Sequence, residues 1–203
     1  MEMAAAAGIT LTGKEKRPLD ATTYGVGEMI LDAVDRGCRK FLIGIGGSAT
    51  NDCGIGMLTA LGYEFLDNEG KPVGICAKDL KNVAQIRKDQ VRSELTECSF
   101  RVACDVTNPL CGLNGATYIY GPQKGVTDDM REGLDRDLQH FADVTEMCFG
   151  ADCASLAGSG AAGGLGYAFL AYLEADLCPG IDLVMDAVKM DKAMRDADLV
   201  FTG

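Results

Sequence analysis

The segment Phe41-Leu-Ile-Gly-Ile-Gly-Gly-Ser-Ala-Thr-Asn-Asp-Cys-Gly-Ile-Gly56 joins an apolar run to a glycine-rich turn. The short apolar run Phe41–Ile45 suits a strand buried on both faces, as in a parallel sheet. It empties into a glycine-rich turn. The turn opens a segment that reads as a helix from Asp52 to about Leu61, stopped by Gly62. Such a junction gathers free backbone N–H groups and the positive end of a helix dipole at one place, which suits a phosphate or a carboxylate. The expected helix mouth carries Ser48, Thr50, Asn51 and Asp52. Asp52 is awkward in a pure anion cradle, so a metal-holding or proton-accepting role stands beside the anion reading. A tight turn capped by Ser48 or Thr50, with no ligand, explains the same residues.

Working outward, Thr22-Thr23 precede apolar positions at Met29, Ile30, Ala33 and Val34, a helix start, and Gly37 ends that helix. Tyr63–Leu66 reads as a strand followed by the turn Asp67-Asn-Glu-Gly70, and residues 71–97 as loop with short elements. Phe100–Val106 is a further strand, broken at Asn108-Pro109. Residues 114–125 read as a short helix or turn and then a glycine-bounded loop. Thr127 caps a long helix from Asp128 to about Cys148, with Met130, Leu134, Leu138 and Phe141 at spacings of three to four. Ser159–Gly166 is a second glycine-rich loop, opening a helix to about Tyr172. Pro179-Gly180 starts a segment to Val188, Asp191–Arg195 is short and helical, and Asp198–Gly203 reads as a last strand. Strands alternating with helices predict an α/β fold: three layers, a mostly parallel sheet with helices on both faces, Rossmann-like, in a single domain over residues 1–203.

Bulk properties exclude several classes. A net charge of −11 argues against nucleic acid, whose phosphate backbone demands a basic face. A small phosphorylated ligand stays open, because a metal ion and local amides can offset its charge. The nine cysteines are odd in number and form no Cys-x-x-Cys pair, so they read as reduced, mostly buried thiols of a cytoplasmic protein. A single histidine, His140, leaves no ligand spacing for zinc. His140 itself, mid-helix beside Gln139 and Phe141, reads as a packing or surface residue. The start, Met1-Glu-Met-Ala-Ala-Ala-Ala-Gly8, has no basic segment and no long apolar core of a signal peptide. No apolar run nears the roughly 20 residues of a membrane span.

Several residues can carry chemistry. Gly44-Ile-Gly46-Gly-Ser-Ala49 fits the loose dinucleotide pattern, with Asp67 at a distance suited to a ribose contact. The polar helix mouth fits a phosphate, carboxylate or metal–phosphate site better. Asp105 and Asn108 follow the strand residues Phe100–Cys104 directly, where metal-binding or basic carboxylates tend to sit, although an Asx-turn before Pro109 explains them equally. Gln123-Lys124 lies between glycines, and a lysine there can meet a phosphate or carboxylate, or simply face solvent. Gly158–Gly166 places amides at a helix start, or serves close packing of helix on sheet.

Together the segments Gly44–Asp52, Val102–Leu110, Tyr120–Gly125, Gly160–Gly166 and Pro179–Asp182, with Glu2–Gly8 and Thr22–Gly27, resemble the bacterial glycerate kinase family over essentially the whole chain. Cys53 and Leu113 depart from it, standing where small residues or proline are usual. The resemblance implies a middle domain of a two-domain protein nearly twice this length. The family's Ser-Phe-Lys motif and acidic-glycine stretch before this domain, and its Glu-Gly-Arg segment after it, are absent here. On that footing the isolated domain is expected to be inactive. The resemblance also implies ATP-dependent phosphorylation of D-glycerate with Mg²⁺. Gly46, Gly47, Ser48, Thr50, Asn51, Gly163 and Gly164 would bind ATP, and Asn108 and Gln123 the glycerate. Asp52 or Asp105 would hold Mg²⁺ or act as base, and Lys124 would counter anionic charge. The 2-phosphoglycerate product is favoured over the 3-isomer. No nucleic acid or membrane partner is expected, and a homo-oligomer is left open. Two other readings stay on the table: a nicotinamide-dinucleotide dehydrogenase domain and a non-catalytic sensor of organic acids.

Overall fold

The computed structural model describes residues 1–195 and 197–201. Three parallel strands, β1 (Lys40–Gly44), β4 (Ser99–Ala103) and β5 (Asp176–Cys178), lie in the order β1-β4-β5. Two more, β2 (Glu64–Leu66) and β3 (Gln85–Arg87), form a separate antiparallel ribbon. The helices are α1 (Ala4–Ala7), α2 (Tyr24–Asp35), α3 (Ile55–Ala60), α4 (Ala116–Lys124), α5 (Asp128–Phe149), α6 (Ala161–Leu173), α7 (Gly180–Val188) and α8 (Met190–Met194). No helix among the described residues is long and apolar enough to cross a membrane.

Successive strand residues point to opposite faces. On one face Phe41, Ile43, Phe100 and Val102 are buried. The Phe41 and Phe100 rings stack at 4.9 Å, and Phe100 meets Phe169 of α6 at 6.2 Å. On the other face Arg101 reaches α7, where its guanidinium bonds Asp186 at 2.9 Å. Helices therefore flank the sheet on both sides, as the alternation of elements predicts. The apolar run of β1 is nonetheless not buried on both faces, because Leu42 stays 44% exposed. On that face α7 packs on β4 rather than β1.

The long helix appears where its period places it, at Asp128–Phe149, with Leu134, Leu138 and Phe141 inward. Three expectations shift. The helix expected from Asp52 begins only at Ile55, after left-handed residues at Cys53 (φ 51°) and Gly54 (φ 74°). Lys124 ends helix α4 rather than sitting in a loop. Residues 198–201 of the expected last strand form none, and Thr202 and Gly203 lie outside the described residues. The nine cysteines are all free thiols, but Cys53 alone among them is buried, against the expectation of mostly buried thiols. His140 packs, as expected, with Nε2–H donating to the Val83 carbonyl at 2.8 Å.

Candidate active site

A cleft of about 370 Å³ opens beyond the carboxyl ends of β1 and β4, where open α/β sheets hold their ligands. From the end of β1 and the loop after it come Gly44 to Ser48, from the end of β4 and its loop Ala103 to Val106, from α4 Tyr120, Gln123 and Lys124, and from the start of α6 Ala161 and Ala162. Glu2 completes the lining. The sequence reading thus meets the structure at Gly46, Gly47, Ser48, Asp105, Gln123 and Lys124. It missed Glu2 and Tyr120, whose only signal was membership of the motifs Glu2–Gly8 and Tyr120–Gly125.

Lys124 is the deep cation. It is 2% exposed, and its Nζ donates to the Thr50 carbonyl at 2.7 Å. Burial lowers its pKa from the usual 10.5 to about 7, although the negative charge of Asp52 opposes the shift. An anion entering the cleft would restore the charged form. Gly46 offers a second feature. A Cβ there would meet no protein atom within 4 Å, so packing does not demand glycine. Its absent side chain leaves the loop backbone open to close approach from the cleft.

Asp105 is exposed, and its Oδ1 accepts the Gly180 N–H at 2.8 Å. A carboxylate is favourable at the first turn of α7, where the helix dipole is positive. Asn108 stands back from the cleft lining. Its Nδ2 donates to the Asn114 carbonyl at 2.7 Å, and its Oδ1 accepts the Tyr120 hydroxyl at 2.5 Å. It thereby ties the loop after β4 to the cleft wall.

The expected helix mouth is not one. Thr50, Asn51 and Asp52 are at most 1% exposed, and α3 is too short and begins too late to present them. Asp52 moves from the cleft to a buried network. Its Oδ2 accepts the Thr23 N–H and the Thr23 hydroxyl, both at 2.8 Å, and its Oδ1 the Gly54 N–H at 3.3 Å. The Thr23 hydroxyl in turn accepts the Met57 N–H at 2.9 Å. Burial raises the Asp52 pKa, and the Thr23 and Gly54 bonds work against the rise. With its lone pairs so engaged, Asp52 links α2 to α3. Asn51 Nδ2 donates to the Thr117 hydroxyl at 3.0 Å, while Asn51 Oδ1 and the Thr50 hydroxyl have no partner among the described residues.

Gly163 and Gly164 also lie under the cleft rather than in its wall. Residues 162–164 are left-handed, with φ of 53°, 71° and 89°. A Cβ on Gly163 would collide with the Thr50 carbonyl oxygen and lie 2.8 Å from Asn51 Cα, and the Gly163 carbonyl accepts the Cys53 N–H at 3.0 Å. The two glycine loops thus pack back to back. Asp67, the candidate ribose contact, is turned to its own loop, its Oδ1 accepting the Glu69 and Lys71 amides at 2.8 and 2.9 Å. Among the described residues no group of three or more His, Cys, Asp or Glu gathers to hold a metal ion.

Fold and cleft together define a three-layer α/β protein with a cleft at the carboxyl edge of its parallel sheet. The model of the glycerate kinase family matches residues 1–203. A glycerate kinase of Bacillus subtilis (strain 168) is 50% identical over all of this chain and 53% of its own length. A glycerate 2-kinase of Escherichia coli (strain K12) is 45% identical over all of this chain and 54% of its own. A crystal structure from Salmonella typhimurium LT2, provisionally described as glycerate kinase 2, matches with a TM-score of 0.95 at 44% identity. It covers 98% of this chain and 54% of that one. The chain belongs to the glycerate kinase family, and it spans about half the length of the curated relatives it matches.

Proposed function

We propose that this chain provides the catalytic cleft of an ATP-dependent D-glycerate kinase. The observation that carries the reading is a cleft at the strand ends with a buried lysine in its floor and an open glycine backbone in its wall. Phosphoryl transfer asks the protein for positioning and charge neutralisation more than for covalent work. Gly46, Gly47 and Ser48 offer loop backbone and a hydroxyl to phosphate oxygens, and Lys124 offers a positive charge that an incoming anion stabilises. Gln123 lies where it can bond the glycerate. Asn108 acts through Tyr120.

Asp105 suits Mg²⁺, which takes one or two carboxylates and keeps waters and phosphate oxygens as its other ligands. Bound there, the ion would neutralise phosphate charge. Asp52, Thr50, Asn51, Gly163 and Gly164 support the cleft from beneath. The E. coli relative's name, glycerate 2-kinase, favours 2-phosphoglycerate as product. Nine free thiols fit a reducing, cytoplasmic setting, and the ligands are small molecules rather than nucleic acid or membrane.

The test is a coupled assay of ADP release on the protein at its full natural length, with the product resolved by NMR. The expected result is release that depends on D-glycerate and Mg²⁺. It should fall at least about a hundredfold in Asp105→Ala, since displaced charge stabilisation costs a few kcal/mol of barrier. Release independent of glycerate would reject the reading.

A further inference from the structure

The first residues of the chain strap down the glycine loop. The Met3 N–H donates to the Gly44 carbonyl and the Gly44 N–H to the Met1 carbonyl, both at 2.9 Å, forming a parallel bridge between Glu2 and Gly44. Beyond α1 the Ile9 N–H donates to the Gly47 carbonyl and the Ala49 N–H to the Ala7 carbonyl, again at 2.9 Å. Met3, inside the strap, is 1% exposed. The loop is thus fastened on both sides, and the bridge fixes where Glu2 emerges.

It emerges in the cleft, with Ser48, Asp105 and Lys124. Its carboxylate lies against the Cα of Gly44. A Cβ on Gly44 would collide with Oε1 and come within 2.5 Å of Oε2 and 2.7 Å of Cδ. Gly44 does not have a left-handed φ, so its backbone does not require glycine. A glycine inside a strand gives up packing and conformational entropy, and here it makes the space that the carboxylate fills. Among the described residues the Glu2 side chain has no hydrogen-bond donor and no cation partner. Asp105, the other cleft carboxylate, has one oxygen committed to the Gly180 N–H at 2.8 Å. The cleft therefore holds one anchored carboxylate and one free carboxylate.

We infer that Glu2 is a catalytic residue, the base that takes the proton of the acceptor hydroxyl. The inference rests on the kinase reading above. The O–H bond of the substrate hydroxyl breaks and its proton passes to a Glu2 carboxylate oxygen. The electron pair left on the hydroxyl oxygen forms the new bond to the γ-phosphorus of ATP. The bond from that phosphorus to the bridging oxygen breaks, and its electron pair leaves with ADP. A positioned base of this kind contributes about 10²–10⁴-fold.

The test is Glu2→Gln, which keeps size and strap contacts, in the protein at its full natural length. The expected result is a kcat lowered about 10²–10⁴-fold with the KM for ATP and the Mg²⁺ requirement held within about threefold, and Glu2→Ala partly restored by added formate. A kcat within threefold of the unsubstituted protein would overturn the inference and leave the kinase reading standing. A loss that excess Mg²⁺ restores would also overturn it, making Glu2 a cation holder. No glycerate-dependent turnover in the unsubstituted protein would remove the kinase reading, and this inference with it.

Discussion

Replacing Lys124 by methionine should change how the stability of this protein depends on pH, not merely its magnitude. In the folded state burial holds the Lys124 pKa at about 7, against the usual 10.5 of an unfolded chain. Between those values the unfolded chain binds the proton and the folded chain does not. Stability rises with pH wherever the unfolded state binds more protons. The burden that Lys124 places on folding is therefore largest below pH 7 and is relieved as pH climbs toward 10.5. Each tenfold weakening of proton affinity on folding is worth about 1.4 kcal/mol, so from pH 6 to pH 9 the protein should gain about 2–3 kcal/mol on this account. Lys124→Met removes the titration and also the 2.7 Å bond to the Thr50 carbonyl. The lost bond adds an offset that does not vary with pH. The measurement is denaturant unfolding of both proteins at half-unit steps from pH 6 to pH 9. Taking the difference cancels the thiols and all other shared groups. A difference that stays flat across this range would refute the buried, proton-poor lysine and with it the floor of the cleft.

The same lysine links protonation to ligand. Calorimetric binding of ATP at pH 8 in two buffers of different ionisation enthalpy should show proton uptake approaching one per site, and none in Lys124→Met. Gly163→Ala should destabilise by about 2–5 kcal/mol, adding a left-handed backbone penalty to a collision with the Thr50 carbonyl. Thermal unfolding should register this as a fall on the order of 10 °C. An unchanged melting temperature would mean the two glycine loops do not pack back to back.

Much of the architecture is local information. The strand at Lys40–Gly44, the long helix at Asp128–Phe149 and the turn at Asp67–Gly70 each follow from periodicity or turn chemistry within a few residues. The run 41–45 and its glycine turn also point to the strand's carboxyl end, where the cleft opens. Where the helix after that turn begins is less local. The left-handed residues Cys53 and Gly54 delay it to Ile55, and that delay turns the side chains of Thr50, Asn51 and Asp52 inward.

The α/β class, the two glycine loops and a set of polar residues around them are written in the chain, because apolar spacing and glycine chemistry act over one element at a time. Which of those residues meet depends on contacts between elements distant in sequence. Asp52 is drawn under the cleft because Thr23, the residue just before α2, satisfies its oxygens. Gly163 is buried because the first loop's backbone lies against it. Glu2 enters the cleft because backbone pairing carries it to Gly44 across more than the length of a helix in sequence. Pairing between residues far apart in sequence leaves no periodic trace in the chain, so the cleft's lining had to be read from the fold.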